Sequence, residues 1–327
     1  MLSFFRTNQL YYSILLIFYI LLLRFAVFSA PFEWLPSGHG VLSEAVYGWI
    51  GSQRVLSQLT AMVFLLVQGF VVNLIAAENR LAVEVNQFPG LFYVLVSCLI
   101  PDFLYLSPVL LGNTFFLVAL YEMFRTYKVA SCVDRIFNAG FWTGVAGMFY
   151  LPFLGFLLLL LVALVILRTL NLQEILIILT GGFLPFFFGW TYCFIAGDTS
   201  YFLETQFWRN LGFLEYNIPL DSWDRYLKLG VFLLLIVLVL FSSGNYLYRK
   251  NIQVQKKISI LYWTLIATAI SIPFQENITF EHFLMLAPAL GIFLAFSFSR
   301  LSRQWAESIH FLVVLLVLAL QFVPWLL

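Results

Sequence analysis

Long apolar runs, broken by short polar or Pro/Gly punctuation, organise this chain from end to end. Eleven segments carry the pattern: 10–30, 54–76, 89–101, 103–124, 137–150, 152–167, 174–196, 227–248, 258–274, 282–298 and 309–327. Crossing the hydrocarbon core takes about 20 apolar residues. A helix is the form in which such a run satisfies its own backbone in lipid. Four segments are short: Pro101-Asp102 divides 89–101 from 103–124, and Pro152 divides 137–150 from 152–167. The second pair reads as a tilted hairpin or a re-entrant loop. The expected fold class is therefore all-α, a polytopic transmembrane helix bundle of about 11 spans with short or broken pairs, forming one domain over residues 1–327.

Composition supports the same class. Of the 327 residues 62% are hydrophobic and 10% charged, and the mean hydropathy is +0.96. So few polar residues could not cover a water-soluble globule. The net charge of +1 offers no bulk attraction for nucleic acid. The distribution of charge says more. With the N-terminus inside, the inner connections hold twelve cations and six carboxylates, net +6, and the outer ones five and ten, net −5. This is the positive-inside asymmetry, and it sets the C-terminus outside. Phe28 and Pro31 flank the candidate cleavage point after Ala30 unfavourably, so the first run is expected to stay as a helix.

Two outer loops are long. Residues 31–53 contain GVLSEAVYGWIG, which predicts a short surface helix. Residues 197–226 are acidic and aromatic, and Leu203, Phe207 and Leu211 recur at i, i+4 spacing, as in an interfacial helix. Within the spans, Gly140 and Gly144 form a GxxxG spacing that lets two helix backbones approach. Cys98, Cys132 and Cys193 form no CxxC or Cys/His group, so no metal site is expected, and the three read as small buried side chains. No nucleotide-binding or metalloprotease motif occurs.

From Leu106 to Asp198 the stretches LSPVLLGNTFFLVALYEMFR, RIFNAGFWTGVAGMFYLPFLGF and ILRTLNLQEILIILTGGFLPFFFGWTY, with FFRTNQ at the N-terminus, resemble a family of bacteroidete integral membrane proteins defined only as a domain of unknown function. That resemblance implies a multi-pass protein of the bacterial inner (cytoplasmic) membrane and transfers no catalytic residue. The order of elements is also similar, more loosely, to the multi-spanning glycosyltransferases that use polyprenyl-phosphate-linked sugars. In those enzymes an acidic residue lies just beyond helix one and outer cations hold the lipid phosphate. This similarity implies Glu33 as a base and Arg24, Arg54 and Arg209 as phosphate-binding cations. The chain departs from them in lacking a paired Asp-Asp or Asp-Glu in loop one and a large C-terminal outer domain.

The candidate catalytic residues are thus Glu33 and Asp102, with Arg24, Arg54 and Arg209 for phosphate and Glu44, Trp208 and Trp223 for substrate. Glu33 and Glu44 could instead hold a divalent cation beside a phosphate, or simply be solvated. Arg24 either serves a site or snorkels to the headgroups. Asp102 either faces a polar vestibule or caps helix 103–124. Trp208 and Trp223 could stack on a sugar or belong to the aromatic belt of the membrane interface. Three functions follow: an envelope glycosyltransferase or polymerase acting on a polyprenyl-phosphate lipid at the outer face, a non-catalytic scaffold with envelope protein partners, and a transporter or flippase. The transporter is ranked last, since Gln68, Asn73 and Asn113 are isolated polar residues in otherwise apolar spans.

Overall fold

Each of the eleven apolar segments coincides with helix in the computed structural model, which describes residues 2–6, 10–29, 40–50, 53–82, 85–169, 171–212, 223–248, 250–275 and 279–322. The first segment is α1 (Leu10–Leu23), continued after a break at Arg24 by α2 (Phe25–Ser29). The short α3 (Val41–Ile50) is the surface helix expected in the first loop. Then come α4 (Arg54–Glu78), α5 (Phe88–Val96), α6 (Pro108–Phe124), α7 (Val133–Phe149), α8 (Phe156–Leu167) and α9 (Leu172–Ile195). α10 (Thr199–Leu203) runs into a π turn at Glu204–Trp208. α11 (Trp223–Phe241), α12 (Ser243–Leu247), α13 (Ile252–Ser271), α14 (Ala287–Arg300) and α15 (Arg303–Phe322) come last. Every regular element among the described residues is helical, as the hydropathy pattern requires.

Arg54–Glu78, Leu172–Ile195, Phe280–Arg300 and Arg303–Gln321 are long and apolar enough to cross a membrane. The 9-residue α5 is about 13 Å long at 1.5 Å per residue, less than half of a hydrocarbon core of about 30 Å. All of its residues are buried. It can be enclosed because small residues let its neighbours come close. A Cβ on Gly90 would stand 2.4 Å from the Gly69 carbonyl oxygen on α4, and one on Gly291 of α14 would stand 2.7 Å from the Tyr93 Cα. The GxxxG face of α7 does the same against α9, where a Cβ on Gly144 would lie 2.1 Å from the Gly182 carbonyl oxygen.

The isolated polar residues of the spans join helices. The Gln68 amide donates to the Leu110 carbonyl at 2.6 Å and to Thr114 Oγ1 at 2.7 Å, and accepts from the Tyr93 hydroxyl at 2.8 Å. Asn73 Oδ1 accepts from the Gly90 N–H at 2.7 Å, and Asn113 Nδ2 donates to the Leu284 carbonyl at 2.9 Å. Such bonds hold helices together at about 0.6–2 kcal/mol each, and they use groups that a transport path would need. His310 likewise ties α15 to α1 through the Tyr19 hydroxyl at 3.1 Å. Cys98, Cys132 and Cys193 are buried free thiols. Outward, α1, α4 and α9 expose Phe18, Val63, Phe187 and Phe194, an apolar exterior suited to lipid rather than water.

Candidate functional site

One end of the bundle is built around the segment between α5 and α6. Pro101 opens a 3-10 turn over Pro101–Leu104, and the chain then runs extended to Ser107. Pro108 starts α6, since its fixed φ and missing N–H suit the first helical position. Three separate elements fasten this segment. The Arg24 guanidinium, at the joint of α1 and α2, donates through Nη2 to the Leu104 carbonyl. The Tyr47 hydroxyl on α3 donates to the Leu106 carbonyl at 3.0 Å. Lys228 on α11 forms an ion pair with Asp102 at 2.7 Å and lies over the Phe280 ring, 5.4 Å from its centre.

Arg24 therefore does not snorkel. It is 0% exposed, and its Nε and Nη1 have no hydrogen-bond partner among the described residues. Arg54, the first residue of α4, donates through Nη2 to the Val27 carbonyl on α2 at 2.6 Å. Tyr105 lies within electrostatic reach of Arg54, Asp102 and Arg24. Burial raises its pKa to about 12, the charges of Arg54 and Arg24 oppose the rise, and that of Asp102 adds to it. The capping expectation for Asp102 is corrected: Ser107 caps α6, its side chain accepting from the Leu110 N–H at 3.0 Å. Sequence offered the signal in the Ser-Pro step. Asp102 is occupied by Lys228, a partner 126 positions away that no local pattern indicates.

Arg209 belongs to another cluster. It pairs with Glu204 at 3.0 Å and Glu44 at 3.8 Å, and Glu44 also accepts a short hydrogen bond from the Tyr201 hydroxyl. Burial first, then the Glu44 carboxylate, raise the Tyr201 pKa to about 12. Gln206 accepts from the Val41 N–H at 3.0 Å and donates to the Gly147 carbonyl at 2.9 Å, while the Ser43 hydroxyl donates to the Phe149 carbonyl at 2.8 Å. This cluster clamps α3 and the π turn onto the end of α7. Trp208 and Trp223 are 75% and 87% exposed, outside both clusters. Glu33 lies outside the described residues. Among the described residues, no group of three His, Cys, Asp or Glu side chains could hold a metal ion.

One constellation escaped the reading of the sequence. The Gln275 amide donates to the Tyr150 hydroxyl at 2.5 Å, and that hydroxyl meets His282 Nδ1 at 3.1 Å. His282 Nε2 lies 3.1 Å from Ser271 Oγ and 3.3 Å from the Thr268 carbonyl. Because that carbonyl only accepts, the network assigns the proton to Nε2, leaving Nδ1 to accept from Tyr150. His282 is fully buried. Glu281, next in sequence to His282, lies within electrostatic reach of both Tyr47 and Tyr150. The Glu-His step at the start of an apolar run was the available signal, since ionisable residues at a span are costly.

Ser271 also stands at the edge of an apolar groove of about 480 Å³, walled by α8, Phe183 of α9, Phe207 and α13. Leu158, Trp263 and Ile270 in its lining are exposed, so the groove opens on the exterior of the bundle.

The fold matches a solved one. The crystal structure of ArnT from Cupriavidus metallidurans bound to undecaprenyl phosphate superposes with a TM-score of 0.52 at 17% identity, over 88% of this chain and 56% of that one. The chain thus spans little more than half the length of ArnT. At this identity the likeness is one of fold. No family model and no curated protein matches the sequence.

Chemically, this end of the bundle offers cations of two kinds. Arg54 is exposed and Lys228 half-buried, and their partners are the Val27 carbonyl and the Asp102 carboxylate. Buried Arg24 instead fixes the backbone on which Asp102 stands.

Proposed function

We infer that this chain is a membrane glycosyltransferase acting on a polyprenyl-phosphate-linked sugar, with the phosphate bound at the outer end against the 101–107 segment. The observation that carries this reading is the gathering of Arg24, Arg54, Lys228 and Asp102 around that segment, within a fold like that of a protein bound to undecaprenyl phosphate. The apolar groove fits an isoprenoid tail by its chemistry.

The reaction asks for a cationic phosphate site and a base. Arg54 supplies a planar fork of donors suited to phosphate oxygens. When the lipid phosphate takes Lys228 as its partner, Asp102 is released from its ion pair. It can then accept the proton of the acceptor hydroxyl as that oxygen bonds to the anomeric carbon. The bond from that carbon to the phosphate oxygen breaks, and polyprenyl phosphate leaves with its charge held by Arg54 and Lys228. Glu33 is a second candidate for the proton, or for a divalent cation beside the phosphate, since Glu44 is engaged by Tyr201 and Arg209. Substrate roles for Trp208 and Trp223 belong to the acceptor side of the same reading. The corresponding setting is a bacterial inner membrane, with envelope proteins as partners.

Native mass spectrometry of the purified full chain with undecaprenyl phosphate tests the proposal. Charge-assisted hydrogen bonds contribute about 1.5–3 kcal/mol, so Arg54→Gln is expected to weaken binding about ten- to hundredfold. Lipid that does not bind, or binds wild type and Arg54→Gln equally, would remove the reading.

A further inference from the structure

The opposite end of the bundle carries a second site. α4 has 25 residues and is about 37 Å long at 1.5 Å per residue, so the surroundings of Glu78 lie a membrane thickness from Arg54. Two cavities adjoin there, of about 180 and 700 Å³, sharing Ala82, Lys250 and Arg300 in their walls. Arg6 lines the smaller one, together with Asn86, Tyr246 and Ser299.

Cations are common on a positive inner face, and most of them point into water. These differ in two ways. First, the hydrogen bonds of Arg6 and Lys250 go to backbone carbonyls: Arg6 Nη2 to Leu301 at 3.3 Å and Lys250 Nζ to Leu81 at 2.9 Å. A carbonyl fixes the position of a cation without cancelling its charge. Lysine has three donors and arginine five, so most remain for a ligand. Second, the cations repel one another. Burial, and then the charge of Arg300, lower the Lys250 pKa from its ordinary value. Like charges held in a concave wall are relieved by an anion. The other polar groups there are built in rather than solvated: Asn86 and Tyr246 are 5% and 2% exposed, the Ser299 hydroxyl donates to the Ala295 carbonyl at 2.7 Å, and the Asn86 amide gives one of its two N–H groups to Ser299 Oγ at 3.3 Å, which leaves the other for a ligand. Glu78, in the wall of the larger cavity, is bonded by the Tyr121 hydroxyl at 3.2 Å.

We propose that Arg6 and Lys250 form, with the Asn86 amide, a binding site for a phosphate-bearing anion at the end of the bundle opposite the 101–107 segment. The apolar Ala82 and Phe296 in the same wall suit the headgroup region of an anionic phospholipid, and inorganic phosphate carries the same recognised chemistry.

The test uses the purified full chain in neutral detergent, titrated separately with phosphatidylglycerol, phosphatidylcholine and inorganic phosphate. Melting temperature and the number of retained lipids by native mass spectrometry are the two readouts. A cation beside an anionic headgroup contributes about 1 kcal/mol, a factor of about five in affinity. Arg6→Gln and Lys250→Gln should each weaken phosphatidylglycerol binding about fivefold, and the double variant more. Lys250→Arg keeps the charge and should retain binding, which separates a lost ligand contact from a misfolded variant. Saturation by phosphatidylglycerol alone assigns the site to lipid, and saturation by inorganic phosphate as well assigns it to the free anion. Equal binding of phosphatidylglycerol by wild type and the double variant, or equal binding of phosphatidylcholine and phosphatidylglycerol by wild type, would overturn the proposal.

Discussion

Gly144 gives the sharpest test of how the bundle is held. In Gly144→Ala the new Cβ would lie 2.1 Å from the Gly182 carbonyl oxygen, 2.9 Å from its carbonyl carbon and 3.1 Å from its Cα. All three atoms are backbone and cannot rotate away. Carbon–oxygen contacts settle near about 3.3 Å, so α7 and α9 must separate by about 1 Å at this crossing. The separation cannot stay local, because a Cβ on Gly140 would be 2.3 Å from the Ile178 oxygen and one on Gly181 2.5 Å from the Phe137 oxygen. The same face is thus in backbone contact along more than a turn. A gap of 0.5–1 Å forfeits about a quarter to a half of each dispersion contact, and overpacking typically costs about 1–3 kcal/mol. Against this stands a gain of up to about 1 kcal/mol from replacing Gly by Ala in a helix. The expected net loss is about 1–2 kcal/mol for Ala, and more for Gly144→Leu. Two comparisons calibrate the effect. A Cβ on Gly182 would meet the Leu157 side chain at 2.6 Å, which can turn aside, so Gly182→Ala should cost less. Gly48 on α3 has nothing within 4 Å of its Cβ position, so Gly48→Ala should be neutral or stabilising. Melting in one detergent at one scan rate, needed because such unfolding is often irreversible, should rank Gly48→Ala at or above wild type, then Gly182→Ala, then Gly144→Ala several degrees lower. A Gly144→Ala protein melting with wild type would refute the close contact of α7 and α9.

Tyr150→Phe removes the hydroxyl between Gln275 and His282 and leaves two buried groups unmatched, which should cost about 1–3 kcal/mol and appear as a lower melting temperature. His282→Phe, which also opens the Ser271 side, should melt no higher than Tyr150→Phe. The Tyr201–Glu44 bond should respond to alkali. The folded-state pKa of Tyr201 is raised to about 12 from an ordinary 10.0, so its proton is held more tightly in the folded chain. The stabilisation is complete below pH 10 and fades as pH rises towards 12, and the melting gap between wild type and Tyr201→Phe should close over that window. A reporter fused at Gln253 should score as cytoplasmic and one after Leu327 as external, and a cytoplasmic signal at the C-terminus would mean an even number of crossings.

The sequence alone determined where the helices lie. In lipid a backbone must pair with itself, so long apolar runs have one regular conformation open to them, and each of the eleven segments is mainly helical over its described residues. The same reasoning located the α3 surface helix and the GxxxG face of α7, both of which depend on residues close together in the chain. The expected helix at Leu203, Phe207 and Leu211 appears only in part, as α10 and a π turn that ends at Trp208, while Leu211 pairs in an isolated bridge with Gln275, a contact no local spacing indicates. What only the tertiary structure decided is which polar groups meet. Sequence grouped Arg209 with Arg24 and Arg54 by charge and side of the membrane, whereas packing gave Arg209 to Glu44 and Glu204 and placed Lys228 on Asp102. It buried Arg24 completely, and it brought Tyr150 from more than 120 positions away to Gln275 and His282. Hydrophobic burial is non-directional and can be read from composition and period. Hydrogen bonds and ion pairs depend on distance and angle, and these are set only when helices far apart in sequence come into contact.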